Sequence, residues 1–268
     1  MKQVSLLLSL FLCVCFTAKA TDEYVEIKTP SMIEYLKVRH EILPNKDGLY
    51  SMDSLSRVRS YLVRELPLPV EFKYLRNLRE VRVFTKNDDN ILDFSPFEDI
   101  FKEFLQITSY VKVKITMGKQ DSLKHLFIYS KCVGLDIKEC VSLERLFCYK
   151  NNEIDTLDLS CNLSLKHLDC GNNKLTSLDL SNNLYLEKLI CNGNQLKSLD
   201  LSKNVRLKEL DCSYNKFRSL KDLSLPKSIT HFYFFPCDNF RESPQRFYID
   251  SFPNLKILQL GEFQINVR

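Results

Sequence analysis

The chain has 268 residues and a formal charge of +4, with 38 lysines and arginines against 34 aspartates and glutamates. That near-balance gives no electrostatic basis for binding nucleic acid or an anionic membrane. Six glycines in the whole chain speak against glycine-rich cofactor loops, and no G-x-S-x-G, H-E-x-x-H, Walker A or G-x-G-x-x-G run occurs. The expectation is a protein that is not an enzyme and carries no cofactor.

In chain order, Met1 to Ala20 reads as a secretory signal: Lys2, an apolar run from Val4 to Phe16, then Ala18-Lys19-Ala20. The apolar run is too short for the roughly 30 Å hydrocarbon core. Leu12 before Cys13 and Val14 before Cys15 do not suit a lipoprotein signal. Thr21 is expected to begin the exported chain, secreted, periplasmic or at the cell surface, with no membrane span. Loss of Lys2 and Lys19 would lower the net charge to +2. Between Asp53 and Leu66 the spacing of Leu55, Val58, Leu62 and Leu66 predicts one face of a helix ending at Pro67. Ser95-Pro96-Phe97-Glu98 has the form of a capping box that opens a helix through about Leu105. Residues 21–77 are expected to form an N-terminal helical region capping the rest of the chain, with a separate functional domain as the alternative.

The remainder of the chain is repetitive. Segments starting at Leu123, Leu143, Leu165, Leu186 and Leu207 share L-x-x-L-x-C-x-x-N-x-L-x-x-L-D-L-S-x-N. The alternation Leu165, Leu168, Cys170 marks a short strand with one apolar face. One turn cannot bury that face, but stacked turns make a continuous core with parallel strands about 4.8 Å apart. Asn151, Asn173, Asn194 and Asn215 stand where the chain leaves the strand, and an amide can pair both N–H and C=O groups of a buried turn. Leu178-Asp179-Leu180-Ser181 supplies two more inward leucines and ends in Ser/Asn turn chemistry.

These residues resemble the leucine-rich repeats of secreted and surface proteins of Bacteroidetes-type bacteria, related in style to internalin repeats. The resemblance implies a solenoid of short parallel β-strands in a curved sheet over residues 78–268, regular over about 123–223. Degenerate turns flank it at Leu78-x-x-Val81-x-Val83, Tyr110-x-x-Val113-x-Ile115, Ile229-x-x-Phe232-x-Phe234 and Leu255-x-x-Leu258-x-Leu260. These turns, and the one from Leu123 with Lys131 at the asparagine position, depart from the pattern.

Cys148, Cys170, Cys191 and Cys212 share the inward column. A line of thiols spaced about 4.8 Å does not converge on one metal ion, so they are expected to be small core hydrophobes. A disulfide among Cys132, Cys140, Cys161 and Cys237 stays open. His125, His167 and His231 share an outward column, but Arg145 separates the first two. The column Asp136, Asp158, Asp179, Asp200 reads as a turn-side row, so no metal site is expected. Gly118-Lys119 lacks the upstream glycine of a phosphate loop, since position 113 is valine. Asn162-Leu163-Ser164 is a formal glycosylation sequon, meaningful only in a eukaryotic host.

Solenoid curvature makes an extended concave surface, expected here to bind a protein, or a glycan, of unknown identity. The outward aromatics Phe127, Tyr129, Phe147 and Tyr149, with His125 and Arg145, are the expected centre. Lys112 and Lys114 are expected to extend it, and Tyr233 and Phe235 form a weaker second patch. The alternative is a structural or envelope-associated protein without a specific ligand.

Overall fold

A computed structural model of the chain describes residues 24–63, 68–83, 90–149, 153–236, 252–261 and 263–266. The expected leader, Leu66, Pro67, Asn151 and Cys237 lie outside them. The chain forms two compact units: residues up to Arg59 together with Pro69–Asn77, and Ser60–Leu68 together with Leu78 onward.

In the first unit, strand β1 (Tyr24–Glu26) pairs antiparallel with β2 (Leu49–Ser51). Helix α1 (Pro30–His40) begins on Pro30, whose fixed φ suits the first helical position. Glu71, on a 3-10 turn over Val70–Tyr74, reaches back to that helix start. Its carboxylate accepts from the backbone N–H of Lys28 and Thr29 and from the Thr29 hydroxyl, at 2.9, 3.2 and 2.8 Å. Met32, Leu36, Leu55, Phe72 and Leu75 are fully buried. The helix expected from Asp53 to Leu66 is α2 (Met52–Ser56), five residues long. Its apolar spacing is fortuitous: Leu62 is only half-buried, and Tyr61 and Val63 alternate inward as strand residues.

The second unit is a parallel solenoid. Its sheet strands are β3 (Ser60–Val63), β4 (Glu80–Val83), β5 (Asn90–Asp93), β6 (Glu103–Thr116), β7 (Leu123–Asp136), β8 (Arg145–Phe147), β9 (His167–Asp169) and β10 (Lys188–Ile190). Past the short β11 (Leu199–Asp200) come β12 (Glu209–Asp211), β13 (Leu223–Ser224), β14 (His231–Phe234), β15 (Ile257–Leu260) and β16 (Phe263–Asn266). The main sheet runs β3-β4-β6-β7-β8-β9-β10-β12-β14-β15-β16 among the described residues, with β5 beside β6; β11 pairs with β13 separately. Neighbours are parallel except β16, which turns back antiparallel on β15. In-register pairing stacks Leu126, Leu146, Leu168, Leu189, Leu210, Phe232 and Leu258 into one buried row. Each such side chain contributes about 1.5–3 kcal/mol by leaving water.

Where the coils are regular, amides bind them together. Asn194 donates to the carbonyls of Cys170 and Cys191 at 3.0 and 3.1 Å, and its Oδ1 accepts from Leu175 N–H at 3.0 Å. Asn215 does the same one coil on, to Cys191, Cys212 and Leu196. A second ladder stands at the far corner. Asn183 donates to Leu159 and Asn162, and Asn204 to Leu180 and Asn183, all three asparagines fully buried. From the residues alone that corner reads only as turn chemistry. Asn162 spends its own amide protons on Ile137 and Cys140, so the sequon nitrogen faces the interior.

The irregular N-terminal coils are built differently. β6 and β7 run for 14 residues each, shifting register between Thr108 and Lys112, so that the chain passes the corner as strand. That is how Lys131 can replace the asparagine. The sheet residues of this coil are Leu105 and Ile107, paired with Leu126 and Ile128; Val113 and Ile115 lie on the second limb beside β5. The degenerate turn expected at Tyr110 is therefore displaced. No helix opens at Ser95 either. Asp93 Oδ1 takes the Ser95 N–H, Gln120 Oε1 takes those of Ile100 and Phe101, and Lys119 O takes that of Asp99. Gln120, fully buried, also donates to Phe97 and Met117.

Candidate ligand-binding face

Side chains alternating with the buried row form three columns on the open side of the sheet. The first runs Phe104, His125, Arg145, His167, Lys188, Glu209, His231, and the second Gln106, Phe127, Phe147, Asp169, Ile190, Asp211, Tyr233. A third starts with Thr108 and Tyr129, paired across β6 and β7, and continues past the ends of the shorter strands with Tyr149, Gly171, Asn192 and Ser213.

The expected centre comes together. The Phe127 and Phe147 rings stack face to face at 4.5 Å and 6°, and Phe104 continues the cluster at 5.1 Å from Phe127. Tyr129 and Tyr149 flank them, 54% and 36% exposed. Tyr149 lies across Gly171, where a Cβ would come within 3.1 Å of its ring and 2.3 Å of Asn192 Oδ1; glycine is what lets the tyrosine settle on the sheet. Phe104 was not among the expected residues, because the apparent capping box put it in a helix, although Phe104-Leu105 has the alternation of a strand.

Arg145 is exposed and sits between His125 and His167. Burial, and after it the Arg145 charge, lowers both histidine pKa values. The nearby carboxylates are engaged: Glu103 with Lys124 at 3.3 Å and Glu144 with Lys166 at 2.8 Å. Lys124, Glu144 and Lys166 belong to an alternating row that continues with Glu187 and Lys208 and, from Glu144 on, stands one residue before each strand. Asp169, opposite Phe147, is raised in pKa by burial despite accepting from Gly171 N–H. Lys112 and Lys114 sit past the register shift, on the limb that bears β5, with Lys112 3.8 Å from Glu153. They do not extend the columns.

Of the second patch, Tyr233 lies between Asp211 and Gln259, and Phe235 stacks on the exposed Tyr214 at 5.5 Å. Tyr214, which the repeat pattern leaves variable, joins the patch through a positive φ of 54°.

The column cysteines are wholly buried thiols, and burial pushes their pKa well above the ordinary value. Burial likewise raises Cys132 to about 11 and Cys140 to about 12, while Cys161 is exposed. The remaining row, Asp136, Asp158, Asp179 and Asp200, accepts from the N–H two residues on and forms the turns between coils.

One strand per coil, an in-register leucine row and an asparagine ladder define a leucine-rich repeat solenoid. No family model and no curated protein matches the chain. Among solved structures it is similar to the functional domain of InlJ from Listeria monocytogenes, described as including a cysteine ladder: 24% identity, TM-score 0.46, 78% of this chain. The chain spans 50% of that domain's length. It is also similar to internalin C2 of the same organism (18% identity, TM-score 0.47, 76% of this chain and 92% of that one). A third likeness is to the leucine-rich repeat protein LIC12759 of Leptospira interrogans (14%, 0.34, 88% and 94%). None of these three exceeds 24% identity, so no residue role passes from them to this chain.

Proposed function

We propose that the chain is an exported bacterial binding module that recognises a protein on the open face of its sheet, centred on Phe127, Tyr129, Arg145, Phe147 and Tyr149 with His125 at the edge. The observation that carries this is the aromatic cluster. Stacked Phe127 and Phe147 already shield each other, yet Tyr129 and Tyr149 on one side of the stack stay open to solvent, and the exposed Arg145 stands on the other side. A solenoid needs no aromatics on its outer columns, and apart from Ile190 the coils from Leu165 to Leu207 carry polar residues or glycine in the columns that hold the aromatics. Contiguous apolar surface ringed by polar groups marks interaction sites, and tyrosine and arginine dominate their hot spots. Tyr233, Phe235 and Tyr214 form a second, smaller contact. Export agrees with the leader-like first 20 residues and with column thiols sealed from solvent, where an oxidising compartment has little access to them.

The test compares capture by residues 21–268 with capture by the Tyr129→Ala and Tyr149→Ala variants, using extracts and culture supernatants. A specific partner retained by the parent should bind each variant about 1–3 kcal/mol more weakly, with unfolding unchanged. A partner held equally by all three, or lost on changing Asn192 or Asp211, would place recognition elsewhere. Absence of any partner would favour a structural role.

A further inference from the structure

The open face is divided by charge. Among the described residues the Arg145 guanidinium has no ion pair and no hydrogen bond, while Glu103 and Glu144, the carboxylates acting on His125, are held by Lys124 and Lys166. His125 and His167, on either side, are held towards neutrality by burial and by Arg145 itself. Arg145 is thus a cation whose planar fork has no partner among the described residues. Two residues along the same strand stands Phe147, stacked on Phe127. Residues two apart on a strand lie on one face about 6.5–7 Å from each other. Beyond Phe147 the second column turns acidic, with Asp169 on β9 facing Phe147 and Asp211 on β12 facing Ile190, while Lys188 of the first column is paired with Glu209 at 2.7 Å.

We infer that Arg145 and the Phe127–Phe147 stack form a two-point receptor for an extended acidic peptide segment, in which an aspartate or glutamate stands two residues from an aromatic or large aliphatic side chain. The carboxylate takes the guanidinium as a bidentate partner. The apolar side chain covers the stack between Tyr129 and Tyr149. Asp169 and Asp211 repel a ligand laid the other way, so the acidic residue is directed to Arg145 and away from β10 and β12. This inference rests on the open face being a protein-binding surface and adds the chemistry of what binds.

The experiment is selection of random peptides displayed on phage against residues 21–268, followed by fluorescence-anisotropy titration of the most enriched peptide. Binders should be enriched in Asp/Glu-x-Phe/Tyr/Leu. Replacing the peptide's acid by its amide, or Arg145→Gln in the protein, should each weaken binding about tenfold, the loss of one charge-assisted pair. Arg145→Glu should shift the selected peptides to basic sequences. Neutral or basic binders that depend on Tyr129 and Tyr149 but not on Arg145 would overturn the inference and leave the protein-binding face standing. Binders indifferent to all three residues, or no binders, would overturn both. An acidic polysaccharide bound through Arg145 in place of any peptide would overturn the peptide class. Arg145 is exposed, so the variants keep the core.

Discussion

Asn194 shows how much one side chain carries here. Its amide closes two strand-exit carbonyls from successive coils and returns an acceptor to Leu175 N–H, all away from water. Asn194→Ala should cost about 1–3 kcal/mol through the buried groups left unpaired, read as a lower urea midpoint. Asn182→Ala, whose amide makes one exposed contact with Ser160 O, should fall within about 0.5 kcal/mol of the parent. Glu71 gives a pH-dependent counterpart. Burial raises its pKa, but the hydrogen bonds from Lys28 and Thr29 outweigh that, and the carboxyl titrates below its ordinary 4.5. A depressed carboxyl contributes stability that is present above the unfolded pKa and lost as pH falls through the folded one. Acid titration by circular dichroism should therefore show the parent losing stability below about pH 4.5, with Glu71→Gln less stable at neutral pH and flatter in acid.

The segment 94–105 is an element whose local signals were overruled from a distance. The capping-box residues are there, yet Gln120 and Lys119, about 20 residues on, take the N–H groups that a helix would have used. Local propensity yields when distant partners satisfy the same backbone groups at lower cost. Gly118 makes that arrangement possible: φ is +61°, and a Cβ there would lie 2.4 Å from Ser95 Cα. Gly118→Ala should lower the melting temperature by the equivalent of about 2–4 kcal/mol, since strain and backbone overlap add. Gly48→Ala, at φ +79° with open space around it, should show the conformational strain alone, about 1 kcal/mol. The glycine that fails as part of a phosphate loop has a packing role instead.

For the whole molecule the issue is how a stack of identical coils stops. At the C-terminal end β16 reverses direction on β15. Towards the N-terminus β3 covers β4, in place of the helix that periodicity suggested. Removing residues 21–77 takes β3 away and leaves unpaired those N–H and C=O groups of β4 that face it, a template for strand addition. Such a truncation should aggregate in light scattering and melt less cooperatively than residues 21–268. A monomer with an unchanged melting profile would show that β3 is not needed as a cover.

The solenoid between Leu165 and Leu223 is legible in the residues alone, because there the coils satisfy strand, corner and core from residues within one or two repeats. Leu168, Cys170 and Asn173 mean the same thing wherever they recur. The columns of the open face are equally legible, since alternation assigns His125, Phe127 and Tyr129 to one side. Tertiary contacts were needed to settle the coils without an asparagine, where β6 and β7 pass the corner as strand, and the loop that Gln120 holds in place of a helix. They alone bring Phe104 to Phe127 and Phe147. Those outcomes depend on pairings between segments about 20 or more residues apart, and a distant backbone partner leaves no periodic trace in the residues it overrules.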